Sequence, residues 1–240
     1  MKHYAPGSFT IMGFYDNKEY LLTVERDEYA DDPRNTYNIS TMICWHRRYK
    51  LGDKHNYSTL GWGGLEEFFA DLCKTVCGAT DDELENLAWE DMLKRLNESD
   101  LIYIKQLNIY DHGGITISTL SSYPYNDRWD SSPVGFVYIT KQRLIEEKLC
   151  VETTMDWKES ADAIIEDEVR IYDYYLRGEV YQYTLEEKIT VDNRCPHCGE
   201  IINSYDDYEE IDTCCGFYGC CLEENGILDS LGCGVKFIKD

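Results

Sequence analysis

The stretch LIYIKQLNIYDHGGITISTL, residues 101–120, indicates the fold class because two strand-like segments flank a turn-like sequence. β-Branched and aromatic residues are frequent in both segments, whereas Asp-His-Gly-Gly between them favours a turn. A third segment of the same kind, VGFVYIT, follows at residues 134–140. The middle of the chain is therefore predicted to form β structure.

Helical patterns lie on both sides of this β region. Before it, apolar residues recur at helical spacing from Leu65 to Val76. Thr80 and Glu83 then have the spacing of a capping box, which predicts a second helix through about Leu96. After the β region, a helix is predicted from about residue 161 to residue 178. Together with strand-like segments near both ends, these helices indicate an α+β fold with a mixed or antiparallel sheet.

The sequence changes character at residue 191, where Cys and Gly become frequent and helical periodicity is weak. We therefore predict an α+β domain over residues 1–190 and a small Cys-rich, zinc-binding module over residues 191–240. The motif CPHCG places Cys195 and Cys198 at the spacing of half a tetrahedral zinc site. Cys215 and Cys220 are the candidates for the other half, although four residues separate them. Free thiols and redox chemistry are the alternatives to zinc.

The chain is strongly acidic, with 23 Lys and Arg against 46 Asp and Glu and a formal net charge of −23. Phosphate backbones and anionic lipids attract Lys and Arg, so this balance argues against direct binding of long nucleic acid or of a membrane. It favours a basic protein partner, such as a host nuclease or a defence effector. The alternative is that the acidity only keeps the protein soluble.

The chain shows no N-terminal signal pattern and no run of about 20 apolar residues. We therefore expect a cytoplasmic location in a host cell. In that compartment, eleven cysteines are thiols or metal ligands rather than a disulfide framework.

A basic island, MICWHRRYKLGDKH at residues 42–55, interrupts the acidic chain. Its two histidines, His46 and His55, are candidate catalytic residues together with Asp111 and His112 of the segment YDHGG. Imidazoles and carboxylates around a metal ion or a phosphate are what metal-assisted hydrolysis needs. The alternative is that the histidines occupy polar turns and that the neighbouring arginines pair with carboxylates.

Candidate binding residues form three groups. Arg47 and Arg48 can stabilise the charge of a small anion. Trp129 lies between charged residues in the loop SSYPYNDRWDSSP, and Trp often anchors protein interfaces. The third group consists of carboxylates on the polar side of the helix predicted from about residue 161: Glu166, Asp167 and Asp173.

Several segments resemble a family of uncharacterised proteins carried by phages and mobile elements. They are NTYNISTMICWHRRYKLGDKH, IYDHGGITISTLSSYPYNDRWDSSPVGFVYITK, YLRGEVYQY and CCGFYG, in this order between residues 31 and 219. The chain has SSP where the family tends to have SGQ, and CCGFYG where CWGFYG is usual. The second difference adds a cysteine, so a zinc site in this chain need not be present in the other members of the family. The resemblance implies a context in phages or mobile elements and no particular reaction.

Two functions follow from these observations. The first is an acidic accessory protein that binds and inhibits a host defence protein, with carboxylates imitating nucleic acid. The alternative is a metal-assisted hydrolase, or a sequestering protein, for a nucleotide-like small anion that enters the basic island.

Overall fold

The computed structural model describes residues 8–58, 63–111, 113–120, 131–151, 156–231 and 234–237. The chain divides into two compact units. Unit 1 combines Met1–Asp31 with Gly178–Asp240, and unit 2 is Asp32–Arg177. The boundary predicted after residue 190 lies inside a continuous strand, so the division in the structure differs from the predicted one.

The helices of the described residues are α1 (Gly63–Cys77), α2 (Asp81–Leu84), α3 (Trp89–Glu98), α4 (Lys141–Glu146), α5 (Trp157–Leu176) and α6 (Ile227–Ser230), with a 3-10 helix at Pro33–Asn35. The strands are β1 (Phe9–Tyr15), β2 (Lys18–Arg26), β3 (Thr41–Cys44), β4 (Ile102–Asp111), β5 (Ile115–Ser118), β6 (Ser131–Thr140), β7 (Val180–Arg194), β8 (Ile201–Tyr218) and β9 (Lys236–Phe237).

Unit 2 contains an antiparallel sheet with the strand order β3-β6-β4-β5, and helices cover both of its faces. Val137 and Ile139 of β6 share one buried cluster with α5 residues such as Ile165. The alternate residue Phe136 lies in a second cluster with Phe68 of α1 and residues of α3. Because successive side chains of a strand point to opposite faces, a strand covered on both faces is apolar at nearly every position.

Close approach between β3 and β6 requires a glycine. A side chain at Gly135 would place its Cβ 2.0 Å from the carbonyl oxygen of Ile43. Gly135 is paired with Cys44, the last residue of β3. This close approach lies at the end of β3, within the basic island.

Unit 1 contains an antiparallel sheet with the strand order β8-β7-β2-β1-β9. Its core combines Leu22 of β2, Tyr183 and Leu185 of β7, and Ile227 of α6. The Cys-rich C-terminal region thus contributes directly to the core of the sheet that contains the N-terminal strands.

The β7–β8 hairpin extends past the rest of this sheet. β2 pairs with β7 only as far as Glu187, where Tyr20 is its partner. Residues 188–194 of β7 pair with β8 alone among the described strands. At about 3.3 Å per residue, this two-stranded extension is about 23 Å long.

These elements confirm the α+β fold, with antiparallel sheets and a Cys-rich C-terminal region. The capping box at Thr80 and Glu83 is also present. The single helix expected through Leu96 is wrong, because α2 ends at Leu84 and Asn86 has a φ of 66°. A left-handed residue cannot continue a right-handed helix, so α3 starts anew at Trp89. None of the helices in the described part of the chain is long and apolar enough to cross a lipid bilayer.

Candidate functional site

A buried arginine, Arg34, binds Asp53 of the basic island through hydrogen bonds. The side chain of Arg34 is 2% exposed and lies in the 3-10 helix of unit 2. Its Nε and Nη2 atoms donate to the two carboxylate oxygens of Asp53 at 2.9 and 2.8 Å. Its Nη1 atom donates to Glu168 of α5 at 3.2 Å, and Nη2 also reaches the carbonyl oxygen of Ser40 at 2.9 Å.

The two carboxylates beside Arg34 also hold the backbone around β3. Asp53 accepts a hydrogen bond from the backbone N–H of Met42 at 2.8 Å. Glu168 accepts from the N–H groups of Ile39 and Ser40 at 2.7 and 3.1 Å. Asp53 is therefore part of the fold, because its oxygens already satisfy Arg34 and the strand.

His46 lies in a cluster with Arg48, Tyr49 and Asp111, which we call the His46 cluster. The Nδ1 atom of His46 accepts hydrogen bonds from the N–H groups of Arg48 at 3.4 Å and Tyr49 at 3.1 Å. The His46 ring stacks on the Tyr49 ring with centroids 4.9 Å apart. Arg48 forms an ion pair with Asp111, at the end of β4.

Charge and burial keep the His46 imidazole neutral. Burial, and then the positive charge of Arg48, lower the pKa of His46 below 6.5, while Asp111 acts in the opposite direction. Because Nδ1 accepts hydrogen bonds, the neutral ring carries its proton on Nε2. The Nε2–H group can donate to a bound anion.

The structure brings together two of the four predicted catalytic residues, His46 and Asp111. His55 has different neighbours: its Nε2 atom lies 2.9 Å from the carbonyl oxygen of Cys44 and its ring packs against Trp45. His112 lies outside the described residues, so its prediction stays untested. Arg47 is exposed at the surface of the island.

The predicted binding carboxylates of α5 mostly serve the packing of unit 2. Glu166 binds Lys105 of β4 and accepts from the Thr119 hydroxyl at 2.5 Å. Asp173 accepts from the backbone N–H of Ile117 at 2.9 Å. Asp167 pairs with Arg170 on the exposed side of α5 at 2.9 Å. Trp129 lies outside the described residues.

The predicted zinc ligands lie at two ends of the β7–β8 hairpin. Cys195 and Cys198 belong to the turn between the strands. Cys215 lies toward the other end of the hairpin, next to Cys214, which pairs with Tyr183 near the start of β7. Residues 201 and 215 are fourteen positions apart, which corresponds to about 45 Å along β8. The structure therefore does not bring the four predicted ligands, which include Cys220, into one site within a chain. Zinc binding itself stays a prediction.

A groove of about 810 Å³ lies between α1 and the segment that contains α2. Carboxylates line much of it, and Lys74 pairs with Asp81 there at 2.5 Å. The exposed carboxylates Glu66, Asp82 and Glu85 form no ion pair among the described residues. This groove is an acidic surface of unit 2.

The most concentrated acidic surface is one that sequence reasoning missed. We call residues 186–194 of β7 and 201–212 of β8 the acidic ribbon. β8 carries five carboxylates within seven residues, at positions 206, 207, 209, 210 and 212. The run DDYEEID is visible in the sequence, but its significance depends on its being an edge strand.

Carboxylates of the acidic ribbon face each other across the two strands. Glu186 is paired with Glu210, and Glu187 with Glu209. Of these, Glu187 is neutralised by Lys18 at 2.6 Å. Among the described residues, Glu209 and Glu210 form no ion pair, and neither does Asp207. Like charges directly opposite each other destabilise a sheet, so this arrangement carries an energetic cost.

Comparisons of the chain with models of protein families, with curated proteins and with solved structures found no match.

Proposed function

We propose that the protein binds a basic, nucleic-acid-binding protein of a host cell, such as a nuclease or a defence effector, and inhibits it. In this proposal the carboxylates of the acidic ribbon occupy the surface that would otherwise bind nucleic acid. The observation that carries the proposal is the placement of Glu186 opposite Glu210 and of Glu187 opposite Glu209.

Opposed carboxylates favour a cationic partner for an electrostatic reason. In the isolated protein Glu186 and Glu210 repel each other, whereas Lys18 neutralises Glu187 opposite Glu209. Glu209 and Glu210 are exposed, so another molecule can reach both. Lys or Arg side chains of a partner would remove this repulsion and add attraction. Part of the binding free energy therefore comes from removal of the carboxylate repulsion that is present in the free protein.

Carboxylates lie on both faces of β8 in the acidic ribbon. Successive side chains of a strand point to opposite faces, so Glu209 and Glu210 lie on different faces. Asp206 is already paired with Lys188 at 3.0 Å. Asp207, Glu209 and Glu210 are exposed and form no ion pair among the described residues, so they are the carboxylates available to basic side chains of a partner.

Two properties of the whole chain support this function. The formal net charge of −23 favours approach to a basic surface by long-range attraction. The resemblance to proteins of phages and mobile elements suggests a setting in which host nucleases are targets. The proposal places the protein in the cytoplasm of the host cell.

The test is affinity capture from bacterial lysate with three versions of the full chain. The wild type is compared with a ribbon variant, Asp207→Asn/Glu209→Gln/Glu210→Gln. A matched control, Glu66→Gln/Asp82→Asn/Glu85→Gln, removes the same number of charges from the groove of unit 2.

We expect wild type and control to retain a nucleic-acid-binding protein that duplex DNA or high salt elutes, and the ribbon variant to lose it. Loss with the control and retention with the ribbon variant would move the binding surface to the groove. Retention by all three versions at high salt would contradict an electrostatic interaction.

A second candidate function rests on two contacts of Arg48: its backbone N–H donates to Nδ1 of His46, and its side chain pairs with Asp111. These residues provide a neutral imidazole and a guanidinium for a nucleotide-like anion, as a hydrolase or a sequestering protein requires. Turnover of nucleotides that His46→Ala abolishes would favour the hydrolase. Recovery of an unchanged nucleotide after denaturation of the protein would favour sequestration.

A further inference from the structure

The turn at the end of the acidic ribbon has the backbone geometry of half a metal site. The N–H group of Cys195 donates to the carbonyl oxygen of Glu200 at 2.8 Å, and that of Gly199 donates to the carbonyl oxygen of Cys195 at 2.9 Å. Gly199 has a φ of 75°, which lets the chain reverse directly after Cys198.

The turn also fixes the position of the first sulfur. The backbone N–H groups of Cys198 and His197 point at the Cys195 sulfur. Cys198 is exposed, and the turn carries it at the outer end of the ribbon. Two sulfur ligands held in this way provide half of a tetrahedral metal site, which needs two further ligands.

No described residue of the same chain completes the site. The described residues contain no group of three or more Cys, His, Asp or Glu side chains able to hold a metal ion. Glu200 is the nearest acidic group, and it accepts a weak hydrogen bond from the Cys198 thiol at 3.7 Å. The strand geometry holds Cys214 and Cys215 about 45 Å away along β8.

We propose that Zn²⁺ joins two copies of this chain, each of which contributes the thiolates of Cys195 and Cys198. A two-fold axis through the metal places four sulfur atoms at about 2.3 Å in a tetrahedron. Four thiols and one Zn²⁺ give a tetrathiolate centre of charge −2 and four released protons. The exposed turn allows two copies to meet without moving either sheet.

Arg194 stabilises the backbone of the turn. Its Nη1 atom donates to the carbonyl oxygen of Gly199 at 3.4 Å, while its Nη2 atom pairs with Asp192 at 3.0 Å. The proposal goes beyond the proposed function, because it requires no basic partner; it predicts that the metal joins two acidic ribbons end to end.

The experiment is a zinc titration of the reduced full chain, followed by light scattering and by measurement of bound metal. We expect one zinc ion per two chains and a mass about twice the 28.0 kDa of the chain, reversed by a chelator. Co²⁺ in place of zinc should give the visible spectrum of a tetrahedral thiolate complex. Cys198→Ser should abolish the doubling and the spectrum while circular dichroism stays unchanged.

Three controls identify the ligands. Cys214→Ser/Cys215→Ser, Cys233→Ser and Glu200→Gln should each keep the stoichiometry and the doubled mass. One zinc per monomer, a dimer that survives Cys198→Ser, or absence of zinc binding would overturn the proposal. Loss of binding in Glu200→Gln or Cys233→Ser would likewise replace the four-thiolate site with another ligand set.

Discussion

Replacement of Arg34 by Met should cause a large loss of stability in unit 2. The side chain is 2% exposed and donates hydrogen bonds to Asp53 and Glu168. Met fills a similar volume but supplies neither the charge nor the donors. Two partly buried carboxylates, with side-chain exposures of 26% for Asp53 and 15% for Glu168, then lose their counter-ion.

The structure sets the size of this loss. Breaking a buried ion pair by removing one partner costs about 3–5 kcal/mol. Asp53 keeps the N–H group of Met42, and Glu168 keeps those of Ile39 and Ser40, so both carboxylates remain hydrogen-bonded. Both also retain some contact with water. We therefore expect about 3 kcal/mol, at the lower end of the range.

Urea unfolding followed by circular dichroism measures this difference. The double variant Arg34→Met/Asp53→Asn should be less destabilised than the sum of the two single variants, because it leaves one charge fewer without a partner. A loss below about 1 kcal/mol for Arg34→Met, or strict additivity in the double variant, would refute the role assigned to the network.

Three further predictions concern single groups. Glu210→Gln should stabilise the protein by about 0.2–1 kcal/mol in urea unfolding, because it removes the repulsion with Glu186, and unchanged or reduced stability would contradict this. His46 should titrate below pH 6.5 by NMR, and Arg48→Met should raise its pKa, since burial and Arg48 both lower it. Because the folded pKa is the lower one, the stability due to neutral His46 is present above pH 6.5 and declines as the pH falls below it; an increase on acidification would be the opposite result. Burial raises the pKa of Cys44 to about 12, so mass spectrometry after alkylation of the native protein should find Cys195 modified well before Cys44; equal rates would contradict the assigned environments.

The sequence predicts the central sheet well because its strands have a strong local pattern. β4, β5 and β6 are rich in β-branched and aromatic residues and are separated by turn-forming sequences. β8 lacks this pattern, since Asp and Glu are disfavoured in strands. It is a strand because β7 pairs with it along its length in a hairpin, and the acidic run in β8 does not have the composition by which strands are predicted.

The candidate sites also divide into residues that the local sequence indicates and residues that it does not. The sequence predicts that His46 and Asp111 share a site, and in unit 2 His46 follows β3 while Asp111 ends β4, the two strands that flank β6. Arg34 was missed because one arginine in the turn-like segment DDPRN reveals nothing about its burial. The spacing of the cysteines predicted one zinc site, but spacing in sequence carries no information about the extended strand that separates them.

The proposed function requires that the acidic ribbon occupies the nucleic-acid-binding surface of a basic partner protein. The most direct test is a competition between duplex DNA and the full chain for the captured partner, at low and high salt. We expect mutually exclusive binding that weakens with salt. Each lost contact is worth up to about 1 kcal/mol in water, so the ribbon variant Asp207→Asn/Glu209→Gln/Glu210→Gln should bind about tenfold to a hundredfold more weakly. Simultaneous binding of DNA and protein to the partner, or wild-type affinity of the ribbon variant, would contradict the account.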